Sequence, residues 1–162
     1  IDKVFPAIKF EDYKRGLCLL DPYGLDLEWD VILQAGKSNA IDMFLNFPVM
    51  DMNRNAIWKN QEKVSAKNRR RMNTFWGDES WKQAAYAESP QRNLFCVELE
   101  KQSNEHIVNA FKDRLMQVAG FKHVPDPLPM KNKNNATVYY LFFASQKPVA
   151  DKIITSIFDK YR

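Results

Sequence analysis

The run Leu17-Cys-Leu-Leu20, apolar at every position and ended by Asp21-Pro22-Tyr23-Gly24, constrains the fold of this chain more than any other segment. Without polar alternation it predicts a strand buried on both faces, the situation of a parallel sheet covered by helices. From Asp26 to Gly36, Leu27, Val31 and Ile32 or Leu33 recur at helical spacing, with an acidic cap in front and a glycine stop behind. Ala40 to Phe47 then reads as a second buried strand ahead of Pro48, with Asp42 as its charged interruption. Strand, helix, strand at this spacing predicts a βαβ unit with a right-handed crossover. Asp21 and Tyr23 then fall at the carboxyl end of the first strand, where open α/β sheets bind their ligands.

From 50 to 90 the chain turns polar, basic and Trp-containing, and short apolar patterns (Met52, Ile57 and Trp58; Met72, Phe75 and Trp76; Trp81) predict helical segments outside the sheet. Ser89-Pro90 marks a loop. Glu105 to Ala119 predicts an amphipathic helix with Ile107, Val108, Phe111, Leu115 and Val118 on one side and Gly120 as its stop. Phe121 to Met130 reads as an extended segment, demoted by its three prolines to an irregular or edge position. Lys131 to Asn135 is a turn, and Thr137 to Ser145 is the clearest strand, pairing with the preceding segment as an antiparallel hairpin. A closing helix from Lys147-Pro148 carries Val149, Ile153, Ile157 and Phe158 inward. The expected fold class is α/β: the back half of a doubly wound, mostly parallel, methyltransferase-like sheet with a C-terminal antiparallel hairpin and a helical insertion over 50–90. With 5 glycines in all, the chain has no GxGxxG loop of the dinucleotide-binding kind.

At 162 residues and 45% hydrophobic content one core is affordable, and 13% aromatic residues argue against disorder. The expectation is one α/β domain over 1–162, the C-terminal part of a longer protein, since Ile1 is an unusual first residue. No stretch approaches the roughly 18 apolar residues of a membrane span and no signal-peptide pattern opens the chain, so a soluble, cytoplasmic protein is expected. Cys18 and Cys96 are far apart, and His106 and His123 lack cysteine partners, so neither a disulfide framework nor a metal site is expected. The formal charge of +4 favours an anionic partner without establishing one.

Leu20-Asp-Pro-Tyr-Gly24 with Glu28-Trp-Asp30, Ile41 to Pro48, Met52-Asn-Arg-Asn55, Arg69-Arg-Arg71, Phe75-Trp-Gly77 with Trp81, Arg114-Leu115 and Tyr139 to Ala144 occur in an order and spacing that resembles the C-terminal portion of the three-Cys-motif partner protein family. Members look like class I S-adenosylmethionine-dependent methyltransferases. The resemblance implies a companion, a radical S-adenosylmethionine-like three-Cys-motif protein, often in mobile-element settings. It also implies S-adenosylmethionine for the intact protein, with no cofactor held by this chain alone, because the family's front half has no counterpart here. Which residues would contact the cofactor is left unassigned.

Asp21-Pro22-Tyr23 also resembles the (Asp/Asn)-Pro-Pro-(Tyr/Phe) motif of amino-methyltransferases that act on bases. That likeness implies that Asp21 and the Pro22 carbonyl accept hydrogen bonds from a target amine while Tyr23 stacks on a flipped base. Gly24 replaces the motif's end and one proline is missing, so the same residues also suit a capped turn with a packed tyrosine. Arg69, Arg70 and Arg71, with Lys67, Arg54 and Lys59, form the densest basic region, interleaved with Trp58, Phe75 and Trp76; phosphate neutralisation and base stacking would suit a nucleic-acid strand, and a solvated helix face is the plain alternative. Asn53 and Arg54 either line the same cleft as Asp21 or cap a helix. The leading expectation is a methyltransferase-like protein acting on nucleic acid or a similar amine when intact. The rival is a non-catalytic partner or nucleic-acid-binding module on a degenerate scaffold, and a nuclease using Asp21, Asp26, Glu28 and Asp30 as metal ligands ranks third.

Overall fold

The computed structural model describes residues 4–88 and 99–162. Four strands form the main sheet: β1 (Gly16–Leu20), β2 (Ile41–Phe47), β5 (Leu128–Lys131) and β6 (Thr137–Ala144). Their order is β1-β2-β6-β5, with β1 parallel to β2 and both remaining pairs antiparallel. The expected βαβ unit is present, α1 (Trp29–Lys37) joining the parallel pair. A mostly parallel sheet is not what the described residues form: the last strand enters between β2 and β5 and makes the sheet mostly antiparallel. A second, two-stranded sheet of β3 (Tyr86–Glu88) and β4 (Leu99–Lys101), which the residue pattern did not suggest, precedes α5 (Asn104–Gln117) in the chain. Ser89-Pro90 and Cys96 lie outside the described residues.

The sheet is covered unequally. Ile41, Met43, Leu45 and Phe47 of β2, with Tyr140, Phe142 and Ala144 of β6, face a large core. That core also takes in α1, α2 (Val49–Asn55), α3 (Ala66–Trp76), α4 (Trp81–Ala85) and α5. The helices over 50–86 thus contribute Met52, Met72, Phe75, Trp76 and Trp81 to the main core. Among the described residues the opposite face meets only α6 (Pro148–Asp159), through Phe143, Leu128 and Phe158 with Phe44, Met130, Leu141, Ala150 and Ile154.

Unequal cover explains the principal departures from the sequence pattern. β1 has the main core on one side only, and among the described residues it is an edge, so Leu17 and Leu19 are 59% and 70% exposed instead of buried. Helix α6 carries two neighbouring apolar stripes at i,i+4 spacing. The stripe that docks is Ala150, Ile154 and Phe158, which leaves Val149, Ile153 and Ile157 in solvent. Val118 lies past the end of α5 and is exposed. The strand expected over 121–130 begins only at Leu128, because Pro125 and Pro127 have no N–H to give a ladder, although His123 and Ser145 exchange backbone hydrogen bonds. Helix α1 starts at Trp29 and runs through Gly36, where glycine serves close approach: a Cβ there would lie 2.0 Å from the Ala119 carbonyl oxygen.

Polar residues on the thinly covered face are paired. Ser145 Oγ donates to Asp42 Oδ1 at 2.6 Å and accepts from the Lys147 N–H at 2.9 Å, which accounts for a carboxylate within β2. In the large core, Phe111 of α5 meets Phe47, Phe142, Phe75, Trp76 and Trp29 with ring centroids between 4.6 and 5.9 Å. One turn on, Arg114 donates to the Trp76 carbonyl (2.7 Å), Ser80 Oγ (3.3 Å) and Asp78 Oδ2 (2.7 Å) while lying 4.7 Å from the Trp29 ring. Two N-caps set helix starts: Ser65 and Ser103 each accept from the backbone N–H three residues on, at 3.2 Å.

Phe111→Ala is expected to lower stability by about 3–5 kcal/mol in urea unfolding, against a change within about 0.5 kcal/mol for Leu19→Thr on the exposed face. Similar costs for the two would contradict this partition of the core. Desolvation works against ionised Asp78, but hydrogen bonds from Ser80 and Arg114 outweigh it and hold the carboxyl below its ordinary range. Because the native value is the lower one, the stabilisation is complete above the ordinary carboxylate range and disappears as pH falls through the lowered native value. Thermal melts between about pH 6 and about pH 3 should show a flatter acid limb for Asp78→Asn than for the parent chain.

Candidate functional site at the carboxyl end of the parallel pair

The alternation along β1 sends Cys18 and Leu20 to the main core and Leu17 and Leu19 to the opposite face, and Asp21 continues the second set. Asn46 has the same facing on β2, because its neighbours Leu45 and Phe47 are buried in the main core. The two side chains therefore meet past the last rung of the ladder, Asn46 Nδ2 donating to Asp21 Oδ1 at 2.7 Å. Among the described residues Asp21 Oδ2 has no hydrogen-bond partner and remains available as an acceptor. Tyr23 is 91% exposed, so its ring packs against nothing that would occupy it.

Gly24 turns the loop back with φ +59, and a Cβ there would sit 2.5 Å from Asp51 Oδ2. Both the left-handed backbone and the missing side chain are required. Asp51 Oδ1 accepts from Asn55 Nδ2 at 2.7 Å, while its Oδ2 is buried without a hydrogen bond. Arg71 compensates: its Nη2 is 3.9 Å from that oxygen and its Nε donates to Asp26 Oδ1 at 3.0 Å. The loop from Asp21 to Asp26 is thereby fastened to α2 and α3 by one arginine.

Of the basic and amide residues singled out in the sequence, only Arg71 is brought to this loop, where it acts as a brace. Asn53 donates to Asn104 Oδ1 of α5 at 2.9 Å, and Arg69 donates to the Val64 carbonyl through Nη2 at 2.8 Å. Arg54 and Arg70 are exposed and have no ion pair among the described residues. Phe75 and Trp76, expected to interleave with the arginines as stacking surfaces, are buried in the core; Trp58 alone of that set is open, with Nε1 donating to the Arg54 carbonyl at 2.6 Å. Consecutive residues on α3 point in different directions, so Arg69, Arg70 and Arg71 have three different surroundings. Asp21, Asp26, Glu28 and Asp30 do not converge, and no cluster of three or more His, Cys, Asp or Glu capable of holding a metal occurs among the described residues. His106 is on the exposed side of α5.

Asn46 and Asp51 were not recognised as site residues in the sequence, and Asp26 was considered only as a metal ligand. For Asn46 a signal existed: in a strand whose odd positions are all apolar, Asp42, Phe44 and Asn46 share the second face, and Asn46 is the one level with Asp21. Nothing in the sequence pointed to the Asp51–Arg71–Asp26 brace, which joins segments 20 to 45 residues apart.

Comparisons with protein-family models, curated proteins and solved structures return no match. No helix among the described residues is long and apolar enough to cross a membrane. The described residues do not on their own fit S-adenosylmethionine at this end of the sheet, since Gly24 closes down on Asp51 and Tyr23 stands in solvent with no wall opposite it.

Gly24→Ala is expected to cost roughly 1–2 kcal/mol from backbone strain alone, and more from the contact with Asp51. Urea unfolding checks the cost. Amide hydrogen exchange should show faster exchange from Asp21 to Asp26 in the variant, and an unchanged loop would argue against the fastening described.

Proposed function

We propose that this chain is the C-terminal part of a methyltransferase-like protein of the three-Cys-motif partner kind, whose intact form transfers a methyl group to an amine of a nucleic acid or similar substrate alongside its radical S-adenosylmethionine-like companion. The observation that carries the reading is the Asp21–Asn46 pair beside exposed Tyr23 at the carboxyl end of β1. The order β1-β2-β6-β5, a parallel pair followed by an antiparallel hairpin whose second strand lies inside, also suits the back half of such a sheet.

In this reading Asn46 holds one oxygen of Asp21, and the other accepts a hydrogen bond from the substrate amine and orients its lone pair. The Tyr23 ring is the stacking surface for an extruded base. Arg54 and Arg70, exposed and without an ion pair among the described residues, engage the flanking phosphates. Arg71 and Asn53, spent on internal contacts, position the loop and α2 and do not touch substrate. The methyl donor belongs to a portion of the protein beyond these residues, so this chain alone transfers no methyl group.

The test is methyl transfer from labelled S-adenosylmethionine to nucleic acid by the intact protein with its companion. Asp21→Ala should reduce turnover by about 10²-fold or more, and Asp21→Asn, which keeps an acceptor oxygen, by less. Complex formation should be unaffected by both. Full activity of Asp21→Ala would remove Asp21 from the chemistry. Absence of methyl transfer by the intact protein, with the complex preserved, would favour a non-catalytic binding module on the same scaffold.

A further inference from the structure

At the other end of the sheet, where β1 and β2 begin, lies a cleft of about 900 Å³. It is bounded by the N-terminal segment around Phe5 to Phe10, by the α1–β2 connection at Lys37 to Asn39, and by Lys122, Gln146 and Lys147. Its volume is in the range of small-molecule sites. Lys9, Lys37, Lys122 and Lys147 line it, against the single carboxylate of Glu11. None of these lysines forms an ion pair among the described residues. Convergence of like charges without carboxylate partners is unfavourable unless an anion joins them, and a concave wall strengthens their combined field.

Two further features narrow the anion. Gln146 is 9% exposed and its orientation is fixed, because Nε2 donates to the Gly36 carbonyl at 3.0 Å and to the Gly120 carbonyl at 2.8 Å. Its Oε1 is left buried without a donor. Gln146 is part of the cleft wall, and its orphan acceptor, closed to solvent in this structure, would be satisfied by a ligand N–H or O–H once the wall yields to admit it. Phe10 adds a half-exposed aromatic ring already approached by cations, with the Arg15 guanidinium carbon at 3.9 Å and Lys147 Nζ at 5.0 Å from its centroid. A ligand that combines several negative charges, a flat ring and a hydrogen-bond donor satisfies all of these together.

We infer that this cleft binds a nucleoside phosphate, with its phosphates on Lys37, Lys122, Lys147 and Lys9 and a donor of its base or sugar on Gln146. The assignment is independent of methyl transfer, since Asp21 and Tyr23 are at the opposite end of the parallel pair.

The experiment is calorimetric titration of the full chain with ATP, with inorganic triphosphate and with a short single-stranded oligonucleotide, in parallel with the Lys37→Ala, Lys122→Ala double variant. Both lysines are exposed, so the fold should persist, and thermal melting verifies it. ATP is expected to bind with an affinity that falls about ten-fold or more in the double variant and declines with salt, and triphosphate is expected to bind more weakly than ATP. The Gln146 side-chain amide resonances should shift with ATP and not with triphosphate. An absence of ATP binding at millimolar concentration, an affinity indifferent to the two lysines, or equal affinity for triphosphate would each overturn the assignment. Tighter binding of the oligonucleotide than of ATP through the same lysines would overturn it too, in favour of a strand-binding surface.

Discussion

Phe111 is the side chain on which the arrangement of this protein turns. From the middle of α5 it meets rings from β2, β6, α3 and the start of α1. Tilted and edge-on rings of this kind add specific attraction to the burial of large apolar areas. What the packing fixes is more than stability. Phe47, seated against Phe111, holds the last residue of β2 in the main core, so strand alternation sends Asn46 to the opposite face, level with Asp21. Arg114, three residues further along the same helix, holds the α3–α4 connection through Trp76, Asp78 and Ser80. One helix thus sets both the strand end that supports the candidate site and the position of α3, from which Arg71 reaches back to the loop.

The unequal cover of the sheet follows from the same concentration of apolar side chains on one side. Among the described residues, helices α1 to α5 cover one face and α6 the other, so the thinly covered second face is where β2 carries its polar residues. It does so in two pairs: Asp42 with Ser145 at the beginning of the strand and Asn46 with Asp21 at its end. The polar positions of β2 are therefore consequences of thin cover, each satisfied by a neighbour in the sheet, as buried or half-buried polar groups must be. Leu17 and Leu19, on the same face but at the edge, have no such neighbour and remain in solvent.

How much of this was legible in the sequence depended on whether the signal was local. The βαβ unit, the clear strand over Thr137 to Ala144, the antiparallel hairpin and the inward face of α5 as far as Leu115 all follow from periodicity and punctuation within a few residues. Burial on both faces of β1 did not, because an unalternating apolar run states only that burial is tolerated on either side; which side is covered depends on α6, more than a hundred residues later. For α6 itself, two apolar stripes of equal spacing compete, and only the shape of the facing sheet chooses between them. Gly36 reads locally as a helix stop, whereas its place in the fold is set by the backbone of Ala119. At the candidate site, Asp21 and Tyr23 were legible from the strand-ending turn. Asn46 and Arg71 were not, since side-chain partners across 25 and 45 residues leave no mark on local pattern.

The two ends of the parallel pair carry opposite electrostatics, and this bears on how an anionic substrate would approach. Asp21, Asp26 and Asp51 gather where β1 and β2 finish, with Arg71 already committed to the last two. Lysines gather where the strands begin. A phosphate is therefore repelled from the immediate surroundings of Asp21, while an amine is attracted to them. Under the proposed function, a nucleic acid would then present an extruded base at the loop and keep its backbone further out, towards Arg54 and Arg70, instead of lying directly across the carboxylates. The nucleoside phosphate proposed for the cleft would have the reverse preference, towards the lysine end. The net charge of the chain does not distinguish these two behaviours; the separation of charge along the strand axis does, and it follows from which residues the fold places at each end of the sheet.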